Sequence, residues 1–301
     1  MERLYQYGMI YLKLLAVACV WGGTFIATRM AALVVGPFEG AFWRFLFATV
    51  GLLGVVALSN TKLPRLTPVQ WRYHILLALS GIVIYNFFFF SALKLIPASR
   101  ASLLVSLNPT IILFTSAIFF GEPLKFTKVI GGLLSLFGAV VVIARGDLRH
   151  VFDHFGAGEL LALGCPTSWA VYTLLQRKMA FSISPLVSTT FTCLLAMVGL
   201  LPLALYEGLH TSEIPANVWA ALVFLGLLGT VLGFVWYAEG IRTIGASRTA
   251  IFNNLVPVFG VLFSVVLLHE SINGAVITGG ILVVAGVVVI QISDFRFRIA
   301  D

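Results

Sequence analysis

The feature that most constrains this chain is a succession of apolar runs of membrane-crossing length, joined by short breaks. Reading runs against breakers predicts ten helical spans, at 11–33, 38–58, 71–95, 98–120, 124–144, 158–178, 184–206, 217–241, 247–268 and 272–292. The breaks are as brief as Gly36-Pro37, Pro97 and Gly121-Glu122-Pro123. Backbone groups in hydrocarbon must find partners within the protein, and runs of about 20 residues suit helices rather than barrel strands. Charged residues make up 10% of the 301 positions, against about 25% in soluble domains. Too few charges exist to cover a water-facing surface, so the expected fold class is an all-α membrane protein. The first run is too long for the apolar part of a cleavable signal and is read as a retained span.

The 19 Lys and Arg give a net charge of +7 but form no long run. They fall singly or in pairs between apolar stretches, where they orient helices, and nucleic acid is not an expected partner. If the N-terminus is cytoplasmic, thirteen of them lie inside and five outside, with Arg44 within the second span. Both termini of this multi-pass protein are therefore expected in the cytoplasm. Cys19, Cys165 and Cys193 all sit in apolar segments without metal-ligand spacing and read as small hydrophobes.

Sliding the chain against itself by 148 residues aligns its halves without a gap. Trp21 falls on Trp169, Arg29 on Arg177, Pro37 on Pro185, Ala98-Ser99-Arg100 on Ala246-Ser247-Arg248, Pro109 on Pro257 and Glu122 on Glu270. Gly131-Gly132 and Gly138 fall on Gly279-Gly280 and Gly286. About a fifth of aligned pairs are identical, where this composition alone gives roughly one in twelve. The expected units are 1–148 and 149–301. Five helices per unit is an odd number, so the second unit enters from the opposite side, as in the inverted repeats of many secondary carriers.

Several polar and aromatic residues fall in the middle of spans. Trp21 and Thr24 share one helix face, and Trp169 and Tyr172 repeat that spacing in the sixth span. Tyr85 and Asn86 lie in the third span, Asn108 in the fourth, Trp236 and Tyr237 in the eighth, and Asn253 and Asn254 in the ninth. An amide in lipid is costly unless it finds partners, so these residues either bond between helices or line a wet cavity. Trp21, Tyr85 and Trp169 are too deep for an interfacial belt and are read as cavity lining. All eleven are candidate substrate-binding residues. Pro109 and Pro257, at symmetric positions, should bend their helices and are candidate gating kinks.

Ser99 and Ser247 read as helix N-caps, and Glu122 and Glu270 as carboxylates favouring the starts of the fifth and tenth spans. The paired glycines should permit close helix contact, within the chain or between subunits. Arg44 either pairs with Glu39 or meets a substrate carboxylate; the pairing is the expectation, since its aligned partner Thr192 is uncharged. No Asp or Glu lies deep in a span, which argues against an exporter of organic cations. No nucleophile or metal-ligand constellation falls within the membrane, so neither enzymatic activity, a cofactor nor a metal is expected. His150 and His154, with Asp147 and Asp153, read as a solvated outer loop.

Trp21-Gly22-Gly23, Pro37 with Arg44-Phe45, Ala98-Ser99-Arg100-Ala101 and Gly121-Glu122-Pro123, echoed by Trp169, Pro185, Ala246-Ser247-Arg248 and Glu270, resemble the EamA-type branch of the drug/metabolite transporter superfamily. The resemblance spans essentially the whole chain, although His269-Glu270-Ser271 departs from the Gly-Glu-Pro pattern. It implies a ten-helix inner-membrane carrier with a central cavity lined mainly by the first, third, fourth, sixth, eighth and ninth helices. The expected function is export of small metabolites, amino acids or related neutral solutes, by alternating access. A multidrug efflux carrier of the same fold is the alternative. The expected partners are a small-molecule substrate and the lipid bilayer, with the chain a monomer or weak homodimer.

Overall fold

The computed structural model describes residues 2–121, 124–150, 155–178, 183–244 and 246–297. Side chains within these stretches are described from residue 9 to 291, except at 120, 150, 177, 178, 246 and 247. All regular structure among the described residues is helical. The long segments are α1 (Glu2–Ala32), α2 (Pro37–Leu58), α3 (Pro68–Leu95), α4 (Ala98–Val105 continuing as Asn108–Phe120) and α5 (Phe126–Ile143). They are followed by α6 (Ala157–Lys178), α7 (Pro185–Glu207), α8 (Ala216–Ile244), α9 (Ala246–Ile251 continuing to Leu268) and α10 (Gly274–Phe297). Among the described residues nine of these are long and apolar enough to cross a membrane; α6, with Glu159, Pro166 and the run Thr167-Ser168-Trp169, is not counted with them.

Local chemistry explains the boundaries. Pro37, Pro68 and Pro185 stand at helix starts, where a missing N–H costs nothing. Thr67 and Gln70 form a reciprocal capping box on α3. Helix α4 ends at Gly121 in the left-handed conformation (φ 64°), and α9 ends 148 residues later at His269 with φ 54°. The departure from glycine in the second motif thus keeps the backbone shape with a residue less suited to it. Both α3 and α8 contain a π-helical stretch, Ala78–Ile84 and Phe224–Leu232, again ending 148 residues apart.

The closest packing joins the two halves of the chain: α5 against α10, α2 against α7, α1 against α9 and α3 against α6. A Cβ added at Gly131 would lie 2.7 Å from the Gly286 carbonyl oxygen, and one at Gly138 would lie 2.6 Å from that of Gly279. As the index rises along α5 it falls along α10, so these helices are antiparallel. Shifting each contact by 148 residues returns the other contact, which places a local twofold axis between the helices. Gly131, Gly138, Gly279 and Gly286 therefore serve contact between the halves, whereas Gly132 packs on Phe114 of its own half. Large apolar side chains such as Leu58, Phe126 and Ile281 are exposed, as expected of a surface meeting lipid rather than water.

Two expectations change here. Ser99 is not an N-cap: the cap position is Pro97, and Ser99 donates through both its N–H (3.1 Å) and Oγ (2.6 Å) to the Glu270 carboxylate. Glu270 therefore serves the start of α4 rather than that of α10, because the end of α9 packs beside it. Glu122, the Ser247 side chain, Asp153, His154 and the His150 side chain lie outside the described residues. In the same loop, Asp147 Oδ1 accepts from the Arg149 N–H at 3.1 Å.

Candidate functional site

Between the halves lies a cavity of about 850 Å³. Much of its lining is aromatic. Trp21 donates its indole N–H to the Gly229 carbonyl at 2.9 Å, and its ring lies 5.3 Å from Tyr237 and 6.1 Å from Phe234. Gly229 sits within the π-helical stretch of α8, and widened π turns leave carbonyls for outside donors. Thr24, one helical turn on, donates to the Trp21 carbonyl at 2.6 Å and keeps its methyl group toward Gly229. Opposite them Tyr85 and Trp169 meet edge to face with centroids 5.7 Å apart.

Amides add polar groups to the same lining. Asn253 donates to the Tyr237 hydroxyl at 3.1 Å, and Asn254 donates to Gln291 Oε1 at 2.8 Å. Asn108 borders the cavity with its buried Oδ1 lacking a protein partner. Pro109 and Pro257 also line it. The expected kinks are displaced toward the preceding residues. Helix α4 breaks at Ser106–Leu107, and α9 tightens into a 3₁₀ turn over Phe252–Asn254, because each proline lacks the N–H that would bond back across that turn.

Of the eleven candidate binding residues, eight line this cavity: Trp21, Thr24, Tyr85, Asn108, Trp169, Tyr237, Asn253 and Asn254. Asn86 and Tyr172 border a smaller adjoining pocket with Arg44 and Gly81. Tyr172 stacks beside Trp169 at 4.8 Å and accepts from Gln176 at 2.7 Å. Trp236 lines neither; its ring sits 5.9 Å from the Lys13 ammonium, which pairs with Glu239 at 2.8 Å.

Arg44 belongs to both pockets and overturns its expected pairing. Glu39 is buried and accepts from the His210 backbone N–H at 3.0 Å. Arg44 instead donates to Asn86 Oδ1 at 3.0 Å and, with longer contacts of 3.4 and 3.5 Å, to Thr230 Oγ1. Residues five apart on a helix point about 140° away from each other, so Glu39 could not share its face. Sequence reading also passed over Thr230, Ser102, Ser106, Thr173, Lys128 and Gln291. Gly81 and Gly229 stand 148 residues apart, each within a π-helical stretch, a recurrence that repeats the irregularity without naming it.

The cavity extends to Lys128, near the start of α5, and Gln291, near the end of α10, at the same end of the molecule as the termini. The opposite end is tied across the halves. The Glu207 carboxylate accepts from the Phe38 and Glu39 N–H groups at 2.9 Å each, and Glu270 accepts from the Ala98 N–H at 2.7 Å. Arg100 pairs there with Glu159 at 2.9 Å. The first turns of α2 and α4 thus have orphan N–H groups satisfied by carboxylates from the other half.

The chain matches the EamA-like transporter family twice, over residues 8–144 and 156–292, stretches offset by the same 148 residues. It is 30% identical over 282 residues to the uncharacterized transporter YyaM of Bacillus subtilis (strain 168), covering 92% of each chain. It is 26% identical over 264 residues to the uncharacterized inner membrane transporter YhbE of Escherichia coli (strain K12), covering 86% of this chain and 81% of the relative. A protein known from a crystal structure superposes with a TM-score of 0.67 at 25% identity, over 96% of this chain and 99% of its own. With its paired matches and a cavity between its halves, the chain belongs to the EamA-like transporter family.

Proposed function

We propose that this membrane transporter exports small amino-acid-like metabolites across the inner membrane by alternating access, using ten spans arranged as two inverted five-helix units. In this reading α6 is the tenth span: Glu159 and Ser168 are buried against neighbouring helices, Trp169 and Thr173 line the cavity, and the exposed Thr167 bonds back to the Leu163 carbonyl of its own helix. The units run from 1 to 148 and from 149 to 301, and both termini are cytoplasmic. The observation that carries the proposal is the asymmetry of the cavity. It reaches the end bearing the termini, while carboxylate caps tie the two halves together at the other end. That is the form expected of one half of an alternating-access cycle, loaded from the cytoplasm.

The lining suits such a cargo. Aromatic rings offer stacking for an apolar side chain, and amides offer polar contacts without fixed charge. Among the described residues lining the cavity none is acidic, whereas Arg44 and Lys128 are cationic. An organic cation, the usual cargo of a multidrug carrier, would meet repulsion there.

The test is transport by the purified protein in proteoliposomes. Vesicles preloaded with an unlabelled mixture of neutral L-amino acids should accumulate the labelled members by exchange. Accumulation no faster than in protein-free vesicles would reject the cargo class.

A further inference from the structure

We propose that Arg44, Asn86 and Thr230 form a carboxylate-binding subsite, which makes the cargo a carboxylate-bearing solute anchored at the junction of the two pockets. The inference rests on the transport reading for its biological use, but the binding chemistry stands apart from it. Arg44 comes from α2, Asn86 from α3 and Thr230 from α8, so both halves of the chain contribute.

Asn86 and Thr230 have their own orientations fixed. Asn86 donates its amide to the Ile82 carbonyl at 2.8 Å, and Thr230 donates its hydroxyl to the Leu225 carbonyl at 3.0 Å, five residues back within the π-helical stretch. Their remaining acceptor oxygens hold the guanidinium from two sides. Both groups are neutral, so among the described residues Arg44 has hydrogen-bond supports and no counter-ion.

A guanidinium carries five N–H donors in a planar fork. One on Nη1 goes to Asn86, while Nε and Nη2 share Thr230, which leaves two donors on a side chain that lines both pockets. A cation withdrawn from water without a counter-ion is costly, and a carboxylate supplies both the missing charge and bidentate geometry. The nearby walls, Tyr85, Trp169 and Phe234, would then receive the rest of the solute.

The experiment measures binding to detergent-purified protein by quenching of tryptophan fluorescence, since Trp21 and Trp169 face the cavity. The probes are L-leucine, L-phenylalanine, the matching 2-oxo acids, and the amides and amines of the same carbon skeletons. At least one carboxylate should bind roughly tenfold or more tightly than its amide, as loss of a charge-assisted contact implies. Arg44→Gln should bring acid and amide to equal affinity, with Arg44→Lys between the two.

Equal binding of acid and amide by the wild-type protein, or no binding of any carboxylate probe, would overturn the subsite. That comparison needs no variant, so a misfolded Arg44→Gln protein cannot obscure it. Carboxylate-selective binding without proteoliposome exchange would instead reject transport of these solutes and leave the subsite standing. Exchange of solutes that lack a carboxylate would do the reverse.

Discussion

At the scale of single residues, Trp21 has the most specific arrangement. Its N–H satisfies a carbonyl of α8 while its ring walls the cavity, so it ties the half that carries it to the other half. Trp21→Phe keeps most of the apolar contact and removes the donor, leaving the Gly229 carbonyl without that partner. A cost of about 1 kcal/mol is expected, seen as a lower melting temperature together with a several-fold loss of exchange rate. Trp236→Phe supplies the comparison, because that ring lies outside both pockets and should leave exchange close to wild type. Equal losses in both variants would show that the two tryptophans act only through packing. The neighbouring pairs also show what a sequence of this kind reveals. Adjacent helical positions differ by about 100°, so a doublet in a regular helix tends to split between surroundings, whereas Asn253 and Asn254, in the 3₁₀ turn of α9, both line the cavity. Tyr237 faces the cavity and Trp236 does not; Tyr85 faces it while Asn86 turns to Arg44. Residue type was legible in the sequence, but direction was not.

At the scale of helices, the apolar runs gave most of the segments within a few residues, because length and breakers determine where a helix can cross a bilayer. What stayed hidden were features that share the composition of their surroundings. The π-helical stretches of α3 and α8 are as apolar as their flanks, and the carboxylate caps of α2 and α4 come from residues about 170 positions away. The glycines of α5 and α10 were legible in place but not in partner. Their role predicts a sharp contrast. Gly138→Leu would place side-chain atoms against the Gly279 carbonyl and the Val283 N–H, so the α5–α10 contact should open and the protein should lose its monodisperse elution. Gly199→Ala, on α7 with no atoms within 4 Å of an added Cβ, should be neutral or stabilise by up to about 1 kcal/mol. At the end of α9, His269→Gly should raise the melting temperature, because an exposed L-residue held at φ 54° costs about 1 kcal/mol. No rise would mean that the imidazole compensates through contacts of its own.

At the scale of the whole molecule, the interior belongs to neither half alone, since the main helix contacts cross between them. In the proposed alternating-access cycle, opening the tied end would require separating surfaces that the two halves share. The discrete ties across that end include Glu270 on the first turn of α4 and Glu207 on the first turn of α2. Glu270→Ala leaves the Ala98 and Ser99 N–H groups without their carboxylate, and the hydrogen bonds lost are charge-assisted, each worth a net of about 1.5–3 kcal/mol. If the chain alternates between two access states as proposed, even 1.4 kcal/mol of net bias would change their ratio about tenfold. The shift can be read with Ser106→Cys on the cavity wall, in a background where the three native cysteines are replaced by alanine. A membrane-impermeant thiol reagent applied from the side of the termini should label Cys more slowly once Glu270→Ala or Glu207→Ala is added, and more slowly still with both. Applied from the opposite side, the same reagent should label faster. Loss of labelling from both sides would mean that the variants collapse the cavity. Unchanged labelling from either side would show that the caps finish the helices and take no part in the choice between access states.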